Sequence, residues 1–240
     1  MRKLLVIIFV LAVTFPSFAQ DAPAKKIYDL TNRAADHFMV QFGLDSWQGA
    51  PDSIDRYISS FNRSFNVYVM LDKPFKSNQR MSIGAGIGVG TTNIYFDKMI
   101  VDIGAITKTI PFRGVDTLDN YKKFKVSTAF LEVPLELRFS SDPSTPNKTF
   151  KAAIGVKIGT LLSAKNKGKG LRTPSGAVIN PKTVKESSKT FFNTTRIAAT
   201  ARVGYGNFSL FGAYSLTGTF KDGVAPDING LQIGLTFSGL

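Results

Sequence analysis

The chain contains no cysteine and a single histidine, His37, among its 240 residues. Without a thiol there is no disulfide staple, no zinc–thiolate site and no thiol nucleophile. An exported chain without cysteine is also not a small disulfide-held scaffold. Long apolar runs are missing too. The leader's run, Leu4–Val13, has ten residues, where a helix crossing a bilayer needs about 20. Helical periodicity is scarce, so no helical layer is on hand to cover a sheet. Nothing repeats at the spacing of roughly 20 to 50 residues that marks solenoids and propellers. Acids are few, 17 against 30 Lys and Arg.

What is present begins with a leader. Arg2 and Lys3 open it, Leu4–Val13 follows, and Ser17-Phe18-Ala19 places small residues at the two positions a signal peptidase reads. Residues 1–19 are therefore expected to be a signal peptide, cleaved before Gln20. Ten apolar residues are too few for an uncleaved anchor. Removing Arg2 and Lys3 from the 30 bases leaves 28 against 17 acids, a charge of +11. That excess suits nucleic acid or lipid headgroups, and export decides against nucleic acid. Residues 20–36 read as a short polar periplasmic segment with a helical turn near 27–35.

The pattern that organises the rest is clearest at residues 129–139. Odd positions read Ala129, Leu131, Val133, Leu135, Leu137 and Phe139, while even positions read Phe130, Glu132, Pro134, Glu136 and Arg138. A period of two means a strand with one apolar face and one mostly polar face. The same alternation recurs in eight segments, at 37–47, 64–75, 80–96, 125–139, 149–164, 194–205, 208–217 and 229–237. With no helices to bury the apolar faces, a closed barrel that turns them outward to lipid fits best.

Connection lengths give a second, independent signal. Residues 76–79, 140–148 and 206–207 are short, whereas 48–63, 97–124, 165–193 and 218–228 are longer and polar. In an up-and-down barrel every second connection lies on the same rim, so short turns gather at one end and long loops at the other. The mid-strand charges Asp45, Asp72, Glu132, Glu136, Arg138, Lys157 and Arg202 all fall on the polar face. Lipid explains this, because an Arg or Lys facing the bilayer midplane costs about 2–4 kcal/mol. Near the short turns the outward position is aromatic in seven of the eight strands: Phe38, Phe75, Phe139, Phe150, Tyr205, Phe208 and Phe237. A membrane interface selects such a ring. A looser second ring on the loop side is expected from Phe65, Tyr95, Tyr121, Phe191 and Tyr214.

The strand Phe-Leu-Glu-Val-Pro-Leu-Glu-Leu-Arg, the glycine-alternating third strand (Gly84, Gly86, Gly88, Gly90) and the leader ending in Ala-Gln resemble the outer-membrane β-barrel domain family described as porin-family or PorT-like. The plan is similar to that of small OmpX-type barrels. The resemblance covers about 38–237 and implies location and fold, with membership of an envelope or secretion assembly, but no shared catalytic set.

Candidate sites follow from the faces. Glu132, Glu136 and Arg138 point inward, with Asp72, Lys157 and Arg202 on other strands. They read either as a proton or substrate site or as an interior ion network, and the narrow interior of eight strands favours the network. Pro134 removes a ladder donor, so a bulge or a missing bond is expected there. His37 lies at the turn side, away from the outer leaflet where lipid A-editing barrels work. The glycines at 84–90 are spaced by two, matching neither the dinucleotide nor the P-loop spacing, and are expected to make room for Phe130 and Tyr68. The loop at 165–193 carries Lys165, Lys167, Lys169 and Arg172 as candidate contacts to phosphate or lipopolysaccharide, or else as a solvated, mobile segment.

The sequence thus predicts an all-β protein, an eight-stranded antiparallel up-and-down transmembrane β-barrel at 37–240 in the cell outer membrane, monomeric and non-catalytic. Expected partners are outer-membrane lipid, lipopolysaccharide and an envelope or secretion-complex protein. No cofactor or metal is expected. A lipid-modifying enzyme of the lipid A deacylase kind and a narrow channel are the alternatives.

Overall fold

The computed structural model describes residues 38–115 and 118–238. The expected signal peptide 1–19, the segment 20–36 and His37 lie outside the described residues. Eleven strands and two short helical turns, α1 (Asp52–Asp55) and a 3-10 turn (Pro146–Lys148), are present among the described residues, the strands following in order: β1 (Phe38–Gln48), β2 (Asn62–Pro74), β3 (Met81–Phe96), β4 (Met99–Val101), β5 (Phe112–Gly114), β6 (Asn120–Ser140), β7 (Phe150–Arg172), β8 (Val178–Ser187), β9 (Thr195–Tyr205), β10 (Phe208–Ser215) and β11 (Asn229–Ser238). Eight of them, β1, β2, β3, β6, β7, β9, β10 and β11, pair antiparallel with their neighbours, and the β6–β7 pairing closes the ring. β8 is a ninth strand laid against the upper part of β7.

The register shows how the ring closes. A row that leaves β2 at Asp72 passes Gly84, Glu136, Gly155, Thr200, Ala213, Gln232 and Asp45 and returns to β2 at Asn62, ten residues away. Such a stagger tilts the strands by roughly 35–45° from the barrel axis. Because side chains alternate, one face of every strand points out and the other into a narrow lumen. Outward positions are apolar and exposed, among them Phe42, Leu71, Ile154, Leu210 and Ile233. Inward positions are polar and buried, as at Gln41, Asn66, Glu132, Lys157, Arg202 and Thr236. An apolar exterior around a polar interior is the inverse of a soluble core and suits a hydrocarbon surround.

The eight barrel strands match the expected ones to within a few residues, save that β6 starts at Asn120 and β7 runs on to Arg172. The short connections hold. In the two-residue turn after β9, Gly206 sits at φ 59°, a left-handed conformation that glycine adopts without a Cβ clash. Pro134 behaves as a missing bond: the β3–β6 ladder omits Gly86 and Ile87 opposite it and resumes in the same register at Gly88↔Glu132. The bulge lies elsewhere, between Ala129 and Phe130 on the β6–β7 ladder, where Leu162 is left without a partner.

Two expectations are corrected at the loop end. Residues 165–193 are not a loop, because β7 and β8 form a long hairpin that continues the barrel wall. The looser aromatic ring is also not as expected: Phe191 is buried, and Tyr121 stacks on Phe124 beneath the loops. Both join a hydrophobic cluster that fills the loop-side mouth of the barrel, with Trp47, Phe96, Phe124, Phe192 and Phe220 at its centre.

Candidate functional site

Two of the lumen's carboxylates, Glu132 and Glu136, are each clasped by cations. Glu132 on β6 accepts a hydrogen bond from the Tyr68 hydroxyl at 2.5 Å on Oε2. On Oε1 it accepts from Arg196 Nε at 3.0 Å, and from Arg196 Nη2 as well. Lys157 Nζ lies 3.9 Å from Oε2 and donates to the Tyr68 hydroxyl oxygen at 3.3 Å. Arg196 also lies over the Phe130 ring, 4.1 Å from its centroid. Nearer the short turns, Glu136 Oε2 accepts from Arg138 Nε at 2.9 Å and from Arg202 Nη2 at 3.0 Å. Arg138 Nη1 reaches Asp72 Oδ1 at 3.7 Å.

Local sequence builds this arrangement. Glu132 lies in one row between Gly88 on β3 and Gly159 on β7, and Glu136 lies between Gly84 and Gly155. With no side chain on either flank, each carboxylate can lie sideways across its neighbours. Tyr68 and Arg196 are the next residues out in the Glu132 row, so they meet it over the two glycines. Burying a charge is costly unless it is paired and hydrogen-bonded. Here both carboxylates are paired.

The structure places Asp72, Glu132, Glu136, Arg138, Lys157 and Arg202 on the lumen side and within ion-pair distance of one another in two groups. Arg196 and the hydroxyl of Tyr68 complete the network. Strand parity puts Tyr68 inward without naming its partner, and Arg196 shares the parity of Arg202 along β9, which is the signal the sequence offers for it. Asp45 is also buried and lines a small cavity with Lys157 and Arg196. The voids beside these groups measure about 20 and 40 Å³, room for a water or two. Among the described residues no cluster of acids and histidine is arranged to hold a metal ion.

Above the network the aromatic cluster closes the mouth. Phe220 packs against Trp47 at 5.5 Å, Phe192 at 5.1 Å and Phe112 at 6.0 Å between ring centroids. Asn193 Nδ2 donates to the carbonyls of Gly218 and Phe220 at 2.8 and 2.7 Å, and Ile110 N donates to Val224 O at 2.9 Å. Three loops are thereby tied to one another over the lumen.

The second candidate site lies outside the wall. Lys165, Lys167 and Lys169 alternate along β7 and are exposed. Arg172 stands apart, beyond two register breaks on the β7–β8 ladder, and is half-buried.

A closed antiparallel ring with an apolar outside and an ion-paired inside is a transmembrane β-barrel of the outer-membrane type. Residues 18–221 match the family model described as outer membrane protein beta-barrel domain, and the chain belongs to that family. Among solved structures it is similar to Ail, the attachment invasion locus protein of Yersinia pestis, in complex with the heparin analogue sucrose octasulfate. That likeness has 12% identity and a TM-score of 0.35, covering 84% of this chain and 96% of Ail. A second structure of Ail matches at 12% identity and a TM-score of 0.32, covering 84% and 95%. No curated protein matches the sequence.

Proposed function

We propose that this outer-membrane barrel is non-catalytic and acts as a surface protein, serving contact at the cell surface, envelope integrity or an envelope or secretion assembly through its folded loop end. The observation that carries this reading is the clasp around Glu132. A carboxylate that accepts from Tyr68 and Arg196 with Lys157 close by is committed to groups of its own barrel, and its partners come from three other strands across the lumen. The barrel interior is spent on stability. What remains for interaction is the loop end, where the β6–β7–β8 strands rise beyond the rest of the wall and the tied loops form a firm base beneath them.

The two alternatives ask for different things. A channel needs an open lumen, and a lipid-modifying enzyme needs a general base at the rim facing the outer leaflet. Single-channel recording in planar bilayers separates the channel. The purified protein should give no large, stable, ohmic openings, and such openings would replace this reading with a pore. Incubation with lipid A should release no fatty acid, and steady release would replace it with an enzyme.

A further inference from the structure

The outward face of the β6–β7–β8 sheet carries an unusual charge arrangement. Lys167 on β7 stands directly opposite Lys125 on β6 and Lys185 on β8. One step up the wall, Lys169 faces Lys123, and one step down, Lys165 lies between Ser127 and Ser187. Neighbouring strands are about 4.8 Å apart and alternate residues along a strand about 7 Å. Six ammonium groups therefore share one small lattice. Like charges placed directly opposite across a sheet destabilise it, whereas in the lumen of the same protein Glu132 and Glu136 each have cationic partners.

Among the described residues of these three strands, no acid on this face offsets them. Glu132, Glu136 and Glu186 are the acids of the three strands. The first two are in the lumen, and Glu186 lies on the inner side, accepting from Asn166 Nδ2 at 2.6 Å. The inner side of the sheet is already occupied, since Asn166 Nδ2 also donates to Val101 O at 3.2 Å at the end of β4. Lys125 is held upright by Asn93 Oδ1 at 2.7 Å and by the Tyr95 ring, 5.4 Å from its centroid.

Position along the wall identifies the partner. On β7 the outward residues Ile154, Val156, Ile158 and Leu162 are exposed and apolar, and the next outward side chain after the bulge is Lys165. On β6 the exposed Leu137, Leu135 and Val133 lead through Leu131, Ala129 and Ser127 to Lys125. The cations thus begin about 10 Å along the strand from the last apolar residue, on the same face that meets hydrocarbon. That is the depth of lipid headgroups. Strand addition to the free edge of β8 is a poorer fit, because Pro181 and Lys182 on that strand blunt an edge.

We propose that Lys123, Lys125, Lys165, Lys167, Lys169 and Lys185 form a binding surface for the phosphate groups of a multiply phosphorylated lipid headgroup in the leaflet on the loop side. The inference rests on the outer-membrane barrel reading and commits it to a lipid partner. Three strands present the cations as a fixed grid, so a headgroup with two phosphates can engage several lysines together, while its acyl chains lie along Leu162, Ile158 and the β6 leucines.

The test uses the full barrel reconstituted in phosphatidylcholine nanodiscs doped with lipid A, followed by native mass spectrometry of retained lipid. Wild type should retain lipid A over phosphatidylcholine. The variant K125S/K165S/K167S/K185S should lose about tenfold or more of that retention, while the matching Lys→Arg variant keeps it. Heat-modifiable gel migration reports whether each variant is still a closed barrel, so loss of lipid through unfolding is distinguished from loss of the surface. Equal retention by a folded Ser variant, or no preference for lipid A by wild type, overturns the proposal and leaves the barrel reading standing. Displacement of lipid A by polyglutamate at equal charge overturns it in favour of an acidic protein partner.

Discussion

Tyr68 and Glu132 touch across a strand that separates them. They sit on β2 and β6, and the residue between them in the same row is Gly88 of β3. The hydroxyl and the carboxylate meet at 2.5 Å because Gly88 has no side chain there.

This makes Gly88 a sharp test of the packing. A Cβ at that position would collide with the Tyr68 ring and with the backbone of Val67, and overpacking a filled interior costs about 1–3 kcal/mol or more. Gly88→Val should reduce the yield of heat-modifiable barrel and lower the urea midpoint. Gly212 on β10 has open space around it, so Gly212→Val should refold as wild type does. Similar losses from both changes would show that lumen crowding is not what Gly88 relieves.

Removing a clasped carboxylate should cost more than removing an exterior charge. Glu132→Ala leaves Lys157 and Arg196 facing each other without their anion, and breaking a buried pair in this way costs about 3–5 kcal/mol. Glu132→Gln keeps two of the acceptor contacts and should fall between wild type and the alanine variant. Lys167→Ala, on the exposed face, should leave the unfolding midpoint nearly unchanged. Urea titrations in lipid vesicles rank the three, and an alanine variant no weaker than Lys167→Ala would mean the network is dispensable.

The wall of the barrel was legible because parity is a local property. Alternation at residues 129–139 already placed Glu132, Glu136 and Arg138 on one face, and loop lengths ordered the strands. The partners were less legible. Arg196 meets Glu132 only because the β6–β7 and β7–β9 registers put Gly159 between them, and a register between strands cannot be read from the parity of either strand alone. The glycines at 84–90 announced room for large side chains, whereas Gly155 and Gly159 are isolated in their strand and drew no notice. The hairpin at 165–187 was hidden by its lysines, which read as a solvated loop until β8 paired with β7. The aromatic plug was hidden for a similar reason: Trp47 stands at the end of β1, Phe112, Phe192 and Phe220 are scattered over separate polar connections, and only the closed ring brings them over one mouth.

The plug itself should be separable from the barrel. Phe220 joins Trp47, Phe112 and Phe192 at the centre of the cluster, and truncating a buried phenylalanine costs about 3–5 kcal/mol. The connections at 97–115 and 216–228 pack into this cluster through Ile103, Ile110 and Ile228 as well as Phe220, so Phe220→Ala should loosen them and expose them to protease. The barrel below should keep its heat-modifiable migration, since its ladders are untouched. The lumen should also stay closed to ions, because the Glu132 and Glu136 clusters remain. Limited proteolysis of intact vesicles reads the first outcome and planar-bilayer recording the second. A protease-resistant Phe220→Ala variant would mean that the loops are held by something other than the aromatic cluster.

The lipid surround makes one prediction that a soluble protein would contradict. Ile154 on β7 points outward and is 64% exposed, four residues along the strand from the turn-side Phe150. On a soluble surface, Ile154→Lys at such an exposed position would change stability little. In a bilayer the ammonium group faces hydrocarbon, and the cost rises to about 2–4 kcal/mol near the midplane. A lysine placed further up the same face, at Leu162, lies nearer the headgroups and should cost less, because its long side chain can reach the interface. Folding free energies measured in phospholipid vesicles should therefore fall in the order wild type, Leu162→Lys, Ile154→Lys. Equal stabilities for all three would mean that this face of β7 does not meet the membrane interior.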